Sequence, residues 1–311
     1  MASTAELTHD WQPLVDRFLR SLAGERQLSG HTVDAYRRDL AKFREFCRAD
    51  HLDTWSQLNS WQVRRFAAAM HRKGLSARSI ARRLSTLRTF MAYLIAEGKL
   101  EANPAADVAA PSAPKRLPGV LDADTMSALL SIETGNDIFA IRDLAIMELF
   151  YSSGLRLAEL TSLRLGDLDL HDRVVRVIGK GSKERIVPMG KTAIRALEDW
   201  LQRRPEFVRN DTTSVFLARS GKALSTRSVQ ARVLHWARRQ GVPARVHPHL
   251  FRHSFASHVL ESSGNLRGVQ ELLGHANIST TQVYTHLDFQ HLAQVYDKTH
   301  PRAKRSAKSD E

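Results

Sequence analysis

Apolar residues recur every three or four positions through the first hundred residues. In "TVDAYRRDLAKFREF" the series is Val33, Tyr36, Leu40, Phe43 and Phe46, and the same interval joins Leu14, Phe18 and Leu22. Val63, Phe66 and Met70 form a third stripe, and Ile80, Leu84, Leu87, Met91 and Leu94 a fourth. A helix of 3.6 residues per turn gathers each series on one side, so the pattern predicts four amphipathic helices with no strand between them. Such helices hide their stripes by packing together, which makes the first domain a small helical bundle. Cys47 stands four residues after Phe43 and belongs to the same buried stripe. As the single cysteine, it excludes a disulfide framework and any thiolate-rich metal cluster.

The rhythm stops in "EANPAADVAAPSAPKRLPGVLD", residues 101–122, which holds four of the ten prolines. Proline lacks the amide proton a helix needs, so this stretch reads as a linker. The boundaries that follow are a helical domain over 1–103, a linker over 104–120, a second domain over 121–300 and a basic tail over 301–311. In the second domain "NDIFAIRDLAIMELFYSSG" is an apolar helix stopped by Gly154, and "LRLAELTSL" starts a short one. "RVVRVIGKGSKERIVPM" then offers two β-branched runs around Gly-Lys-Gly-Ser-Lys, the pattern of a hairpin tipped by Lys180 and Lys183. Helices return in "TAIRALEDWLQRR", in "STRSVQARVLHWARRQ" capped near Ser225, and in "HLFRHSFASHVLESSG". The chain is therefore expected to be mainly α, with a small antiparallel sheet in the second domain.

Charge changes the picture most. Lys plus Arg number 46 against 33 acids, a net charge of +13 over 311 residues, which favours a polyanionic partner, nucleic acid before an anionic membrane. No apolar run approaches the roughly 18 residues of a spanning helix, and the start resembles no signal peptide, so a cytoplasmic protein is expected. "HRKGLSARSIARRLSTLRTF" carries six Arg or Lys and no acid. Opposite its apolar stripe lie Arg78 and Arg82, flanked by Arg83 and Arg88, and a face without acids is expected to contact DNA. Lys183 on the hairpin and Arg232 in a later helix extend the set of candidate DNA contacts.

The chemistry is carried by a few residues in separate stretches. Arg156 follows the stop at Gly154, and in "HPHLFRHS" His249 and Arg252 stand three apart, on one face of a helix. If these arginines converge, they would cradle a phosphate and neutralise it in a five-coordinate transition state. Lys180 could protonate a leaving oxygen, and Tyr284 could supply the nucleophile once cationic neighbours favour its phenolate. No Gly-rich nucleotide loop or carboxylate cluster for magnesium is recognisable, so neither cofactor nor metal is expected. Each residue also has a plainer reading. Arg156 could pair with Glu159 on its own helix turn, Lys180 could be a solvated tip, and His249 with His253 could be a zinc pair lacking an obvious third ligand. His275 could cap a helix, and Tyr284 could be half-buried with its hydroxyl satisfied.

"GLRLAEL", "GKGSKER", "HPHLFRHSFASHVL" and "LLGHANISTTQVYTH", in this order and at these separations, resemble the tyrosine recombinase (phage integrase) family over nearly the whole chain. The resemblance implies a SAM-like core-binding bundle followed by a catalytic domain of the DNA breaking-rejoining enzyme type. It implies that Arg156 and Arg252 clamp the scissile phosphate and that Lys180 is the general acid for the departing 5′ oxygen. His249 would assist proton transfer, His275 would hydrogen-bond the phosphate, and Tyr284 would attack to give a 3′-phosphotyrosyl bond. Phe251 replaces the leucine usual in relatives, an apolar exchange without consequence for the chemistry. With no further domain expected before Trp11, the two-domain kind of enzyme is implied. The closing stretch resembles the branch that resolves bacterial chromosome dimers, which implies double-stranded DNA with a dif-like site, a XerD-like recombinase in a heterotetramer, and an FtsK-like translocase. A XerD-like role, or that of a mobile-element integrase, would use the same residues; a non-catalytic helical DNA-binding protein is the remaining alternative.

Overall fold

The computed structural model describes residues 7–24, 30–112, 120–179, 184–209, 212–242 and 246–263, together with Val269. The chain divides into two compact units, Met1–Lys115 and Arg116–Glu311.

In the first unit the four apolar stripes become α1 (Leu7–Gly24), α2 (Gly30–Ala49), α3 (Ser60–Arg72) and α4 (Ala77–Ala96). Short polar side chains set two of the starts: Asn59 accepts the Trp61 amide at 2.8 Å and Ser76 the Ser79 amide at 3.3 Å, each satisfying a donor the first turn leaves open. The core is aromatic. Trp11, Phe18, Phe43, Trp55 and Phe90 are buried in it, and Trp11 stacks on Trp55 with ring centroids 5.5 Å apart. Cys47 is fully buried, and burial, with a further push from Asp50, raises its thiol to about 12, so it packs as a small apolar group.

The linker expected over 104–120 begins later than its composition suggests. Ala105 and Val108 are buried in the first unit's core. Arg88 holds them there, with Nε donating to the Ala105 carbonyl at 3.0 Å and Nη2 to the Val108 carbonyl at 2.6 Å. Asn103 donates in return to the Arg88 carbonyl at 2.9 Å. Proline keeps this stretch out of a helix but does not prevent it from lying as a strap along α4.

The second unit is built around α6 (Ile138–Ser153), which is buried on every side and therefore lacks an amphipathic stripe. Around it lie α5 (Ala123–Leu130), α8 (Lys191–Arg203), α9 (Thr226–Arg239) and α10 (Pro248–Ser263), with α7 (Leu157–Ser162) following directly after it in the chain. The sheet has the order β1 (Leu168–Asp169), β2 (Val174–Ile178), β3 (Glu184–Pro188), all antiparallel. In the expected hairpin β2 and β3 pair Ile178 with Glu184 and Val175 with Val187. The two-residue β1 and the short α5, capped by Asp122, are additions that the sequence pattern did not announce. The beginning of this unit is fastened to α10: the Leu121 amide donates to Ser254 Oγ at 2.9 Å, and Leu121 itself is buried. One turn later on α10, His258 Nδ1 lies 2.7 Å from the hydroxyl of Tyr151 on α6.

Candidate active site

The site starts where α6 stops. Gly154 adopts a left-handed conformation, φ +55, and its amide closes the helix by donating to the Phe150 carbonyl, a geometry that glycine reaches without a Cβ clash. The chain reverses there and presents Arg156 at the head of α7. Three residues on, Glu159 is buried with 4% exposure and accepts four hydrogen bonds. Its Oε2 takes the Arg156 amide at 2.7 Å and Oε1 takes Arg156 Nη1 at 2.8 Å. Arg185 on β3 covers both oxygens, Nη1 to Oε1 at 2.7 Å and Nη2 to Oε2 at 2.9 Å. The plainer pairing of Arg156 with Glu159 is thus present in the structure, within a larger cluster.

Burial alone would raise the Glu159 pKa, but Arg185 first and then Arg156 more than offset it, holding the carboxyl down to about 2 from an ordinary 4.5. A carboxylate depressed in the folded state stabilises the fold above its unfolded pKa, so this contribution, on the order of 3 kcal/mol, is present above about pH 4.5 and lost as pH falls towards 2. Glu159→Gln is accordingly expected to flatten the acid limb of a stability profile followed by circular dichroism between pH 5 and 2. An unchanged acid limb would show that the cluster does not govern acid unfolding.

Arg252 enters from α10. Its guanidinium is buried and donates from Nη1 to the Gly154 carbonyl at 2.5 Å, two residues before Arg156. Burial, then the positive Arg156 and Arg185, lower its pKa to about 10 against a smaller opposing pull from Glu159; it remains a cation at neutral pH. His249, one turn earlier on the same face of α10, has its pKa lowered by burial, then by His247 and His253, then by Arg252 and Arg156. An imidazole so placed is largely neutral near pH 7 and free to accept a proton. Residues from the α6–α7 turn, β3 and the first turns of α10 therefore meet in one strongly positive cluster. Among the described residues no group of three or more His, Cys, Asp or Glu side chains is gathered that could hold a metal ion.

Lys180, Lys183, His275 and Tyr284 lie outside the described residues. On the α4 face, several of the arginines expected to contact DNA also have partners within the first unit. Asp39, on α2 and only 3% exposed, engages Arg82, approaches Arg83 Nε at 3.4 Å and accepts from the Thr86 hydroxyl at 3.2 Å. Arg88 holds the strap. The face has no acid of its own because a neighbouring helix supplies one, a contact that periodicity along a single helix cannot reveal. Arg78 in the first turn of α4 is exposed. Arg232 is also engaged: its Nε bonds Asp143, a buried carboxylate that also accepts from Trp236 Nε1 at 2.9 Å.

Sequence reasoning passed over Arg185, although a signal existed. Along β3 it shares the inward side with Val187, opposite Val177 of β2, and an arginine on the inward side of a strand requires a buried counter-charge. Glu159 was visible as a local partner of Arg156, but its role as the shared acceptor depends on β3 folding against α7.

Comparison with known proteins agrees with this arrangement. The phage integrase family model matches residues 119–291, and the N-terminal SAM-like domain of phage integrases matches residues 15–98. The chain belongs to the phage integrase family, and it is an enzyme of the site-specific tyrosine recombinase class. It is 53% identical over 291 residues to the tyrosine recombinase XerC of Xanthomonas campestris pv. campestris strain B100, covering 94% of this chain and 89% of that protein. To the XerC of Alcanivorax borkumensis it is 51% identical over 306 residues, 98% and 99% of the two chains. In sequence it is XerC-like nearly throughout. In fold it is similar to the XerH site-specific recombinase bound to a palindromic difH substrate in a post-cleavage complex, with a TM-score of 0.68 at 21% identity over 91% of this chain and 83% of that one.

Proposed function

We propose that this recombinase cuts and rejoins double-stranded DNA through a 3′-phosphotyrosyl intermediate, with Arg156, Lys180, His249, Arg252, His275 and Tyr284 as its catalytic set. The observation that carries the reading is the meeting of Arg156 with Arg252 and His249 of α10, two stretches far apart in sequence, in one cationic cluster. In this reading both guanidinium groups grip the non-bridging oxygens of the scissile phosphate and neutralise the charge that builds up in the five-coordinate transition state. The Tyr284 hydroxyl gives its proton to His249 as its oxygen attacks phosphorus. The bond from phosphorus to the 5′ oxygen breaks, and Lys180 protonates that oxygen as it leaves. His275 donates to a phosphate oxygen. One phosphodiester is exchanged for another of similar energy, so a 5′ hydroxyl can later reverse the step on a new strand without nucleotide hydrolysis.

The XerC-like sequence favours a dif-type site as substrate, a XerD-like recombinase as partner in a heterotetramer, and an FtsK-like translocase as activator, acting in the cytoplasm. Among the described residues no helix is long and apolar enough to cross a membrane. A dif-type duplex nicked beside the cleavage position tests the reading, because the short released piece diffuses away and traps the intermediate. The expected result is a protein–DNA adduct that survives denaturing detergent and forms equally well in EDTA and without ATP. Absence of an adduct would overturn the catalytic reading, and loss of it in EDTA would return His249 and His253 to consideration as metal ligands. Comparing the two strands of the site then separates a XerC-like role, confined to one strand, from that of a XerD-like or mobile-element enzyme.

A further inference from the structure

Two polar contacts pin α10 to α6. The first is Arg252 Nη1 on the Gly154 carbonyl at 2.5 Å. The second lies six residues further along α10, about 9 Å at the rise of a helix, where His258 Nδ1 is 2.7 Å from the hydroxyl of Tyr151, three residues before Gly154 on α6. The same imidazole hydrogen-bonds the backbone of Leu121. The Leu121 amide is already given to Ser254 Oγ at 2.9 Å, so here the ring donates and the Leu121 carbonyl accepts. Burial lowers the His258 pKa against smaller opposing pulls from Glu261, the Leu121 backbone and Asp122, which keeps the ring neutral near pH 7. A neutral ring that donates to Leu121 accepts from Tyr151, whose hydroxyl is held protonated by burial and by Glu148.

These pins do what packing alone does not. The apolar contact of Phe150 with Phe251, ring centroids 6.0 Å apart, resists separation of the two helices but is non-directional and does little to fix how they slide or turn. A hydrogen bond is directional and sets position. With the Arg252 contact as the sole polar pin, α10 could pivot about the Gly154 carbonyl. A second pin, displaced along the axis, removes that freedom. Arg252 needs it most, because in the proposed reaction its guanidinium holds the carbonyl and the phosphate together and so cannot also serve as the fixed reference for its own helix.

We propose that His258 is a positioning residue for strand cleavage: held between Leu121 and Tyr151, it fixes the register of α10 on α6 and thereby the point at which Arg252 meets the scissile phosphate. The proposal rests on the reading of Arg252 as a phosphate clamp.

The test is single-turnover adduct formation on the nicked dif-type duplex at saturating enzyme, with DNA affinity and thermal unfolding measured alongside. Y151F keeps the ring and its volume and removes the hydroxyl. It is expected to slow adduct formation about tenfold, part of the roughly hundredfold that a displacement of about 1 Å can cost, with DNA affinity unchanged because no phosphate contact is altered. H258L removes both bonds of the imidazole and is expected to lose about a hundredfold. Since the two substitutions break the same Tyr151–His258 bond, Y151F/H258L is expected to be no slower than H258L. A brace that serves stability alone predicts a lower melting temperature with the wild-type rate at saturation. That outcome in Y151F, or losses that multiply in the double variant, overturns the proposal. If H258L does not yield folded protein, Y151F carries the test: a tenfold loss supports the proposal and a wild-type rate overturns it. R252A separates the two levels of the argument. Should R252A cleave normally, the clamp reading fails and the proposal with it; should R252A be slow while Y151F keeps the wild-type rate, the proposal alone fails.

Discussion

Tyr284→Phe is expected to bind a dif-type duplex as the parent enzyme does and to form no covalent adduct on the nicked substrate. Phenylalanine retains the ring and its packing volume but lacks the oxygen that would bond to phosphorus, so the loss should be complete rather than partial. Other tyrosines offer no ready replacement among the described residues. Tyr36 and Tyr93 pack against the core of the first unit. Tyr151 is buried, hydrogen-bonded to His258, and its hydroxyl is pushed further from ionisation by burial and by Glu148. A denaturing gel of labelled DNA reads the result directly. A shifted protein–DNA band persisting in Y284F would move the nucleophile elsewhere and break the proposed mechanism.

Arg252→Ala is expected to lower the rate of adduct formation by about 10²–10³-fold, the usual consequence of removing one charged donor from a developing anion. It carries a second effect. The Gly154 carbonyl, in a buried turn, loses the donor at 2.5 Å, and an unsatisfied buried acceptor costs about 1–3 kcal/mol of stability. A fall in both cleavage rate and melting temperature is therefore expected, with near-normal DNA affinity. Arg252→Lys restores a charge but not the planar fork that bridges a carbonyl and a phosphate, so it should recover stability more than rate. If R252A melts lower but cleaves normally, Arg252 only supports the turn.

The helices were legible because each is amphipathic: Val33, Leu40 and Phe43 of α2 and Ile80, Leu84 and Leu87 of α4 are all buried as their spacing requires. α6 was legible for a different reason, as an apolar run of helical length ending in glycine. What stayed hidden depends on contacts distant in sequence. Asp39 reaches across from α2 to Arg82 and Arg83, the strap at Ala105 and Val108 is fixed by Arg88, and Arg185 meets Glu159 across 26 residues. Arg156, His249 and Arg252 could each be selected from motif and spacing. Their convergence could not, because it requires the left-handed turn at Gly154 to aim a carbonyl at α10.

The two ends of the interdomain stretch also guide the construction of chimeras. Residues up to Val108 complete the core of the first unit, and Leu121 is fastened to Ser254 on the helix that carries His249 and Arg252. A hybrid that borrows a foreign first unit should be spliced after Ala110 and before Val120. A junction upstream of Ala105 would strip Arg88 of its carbonyls, and one downstream of Leu121 would unfasten α10 close to Arg252.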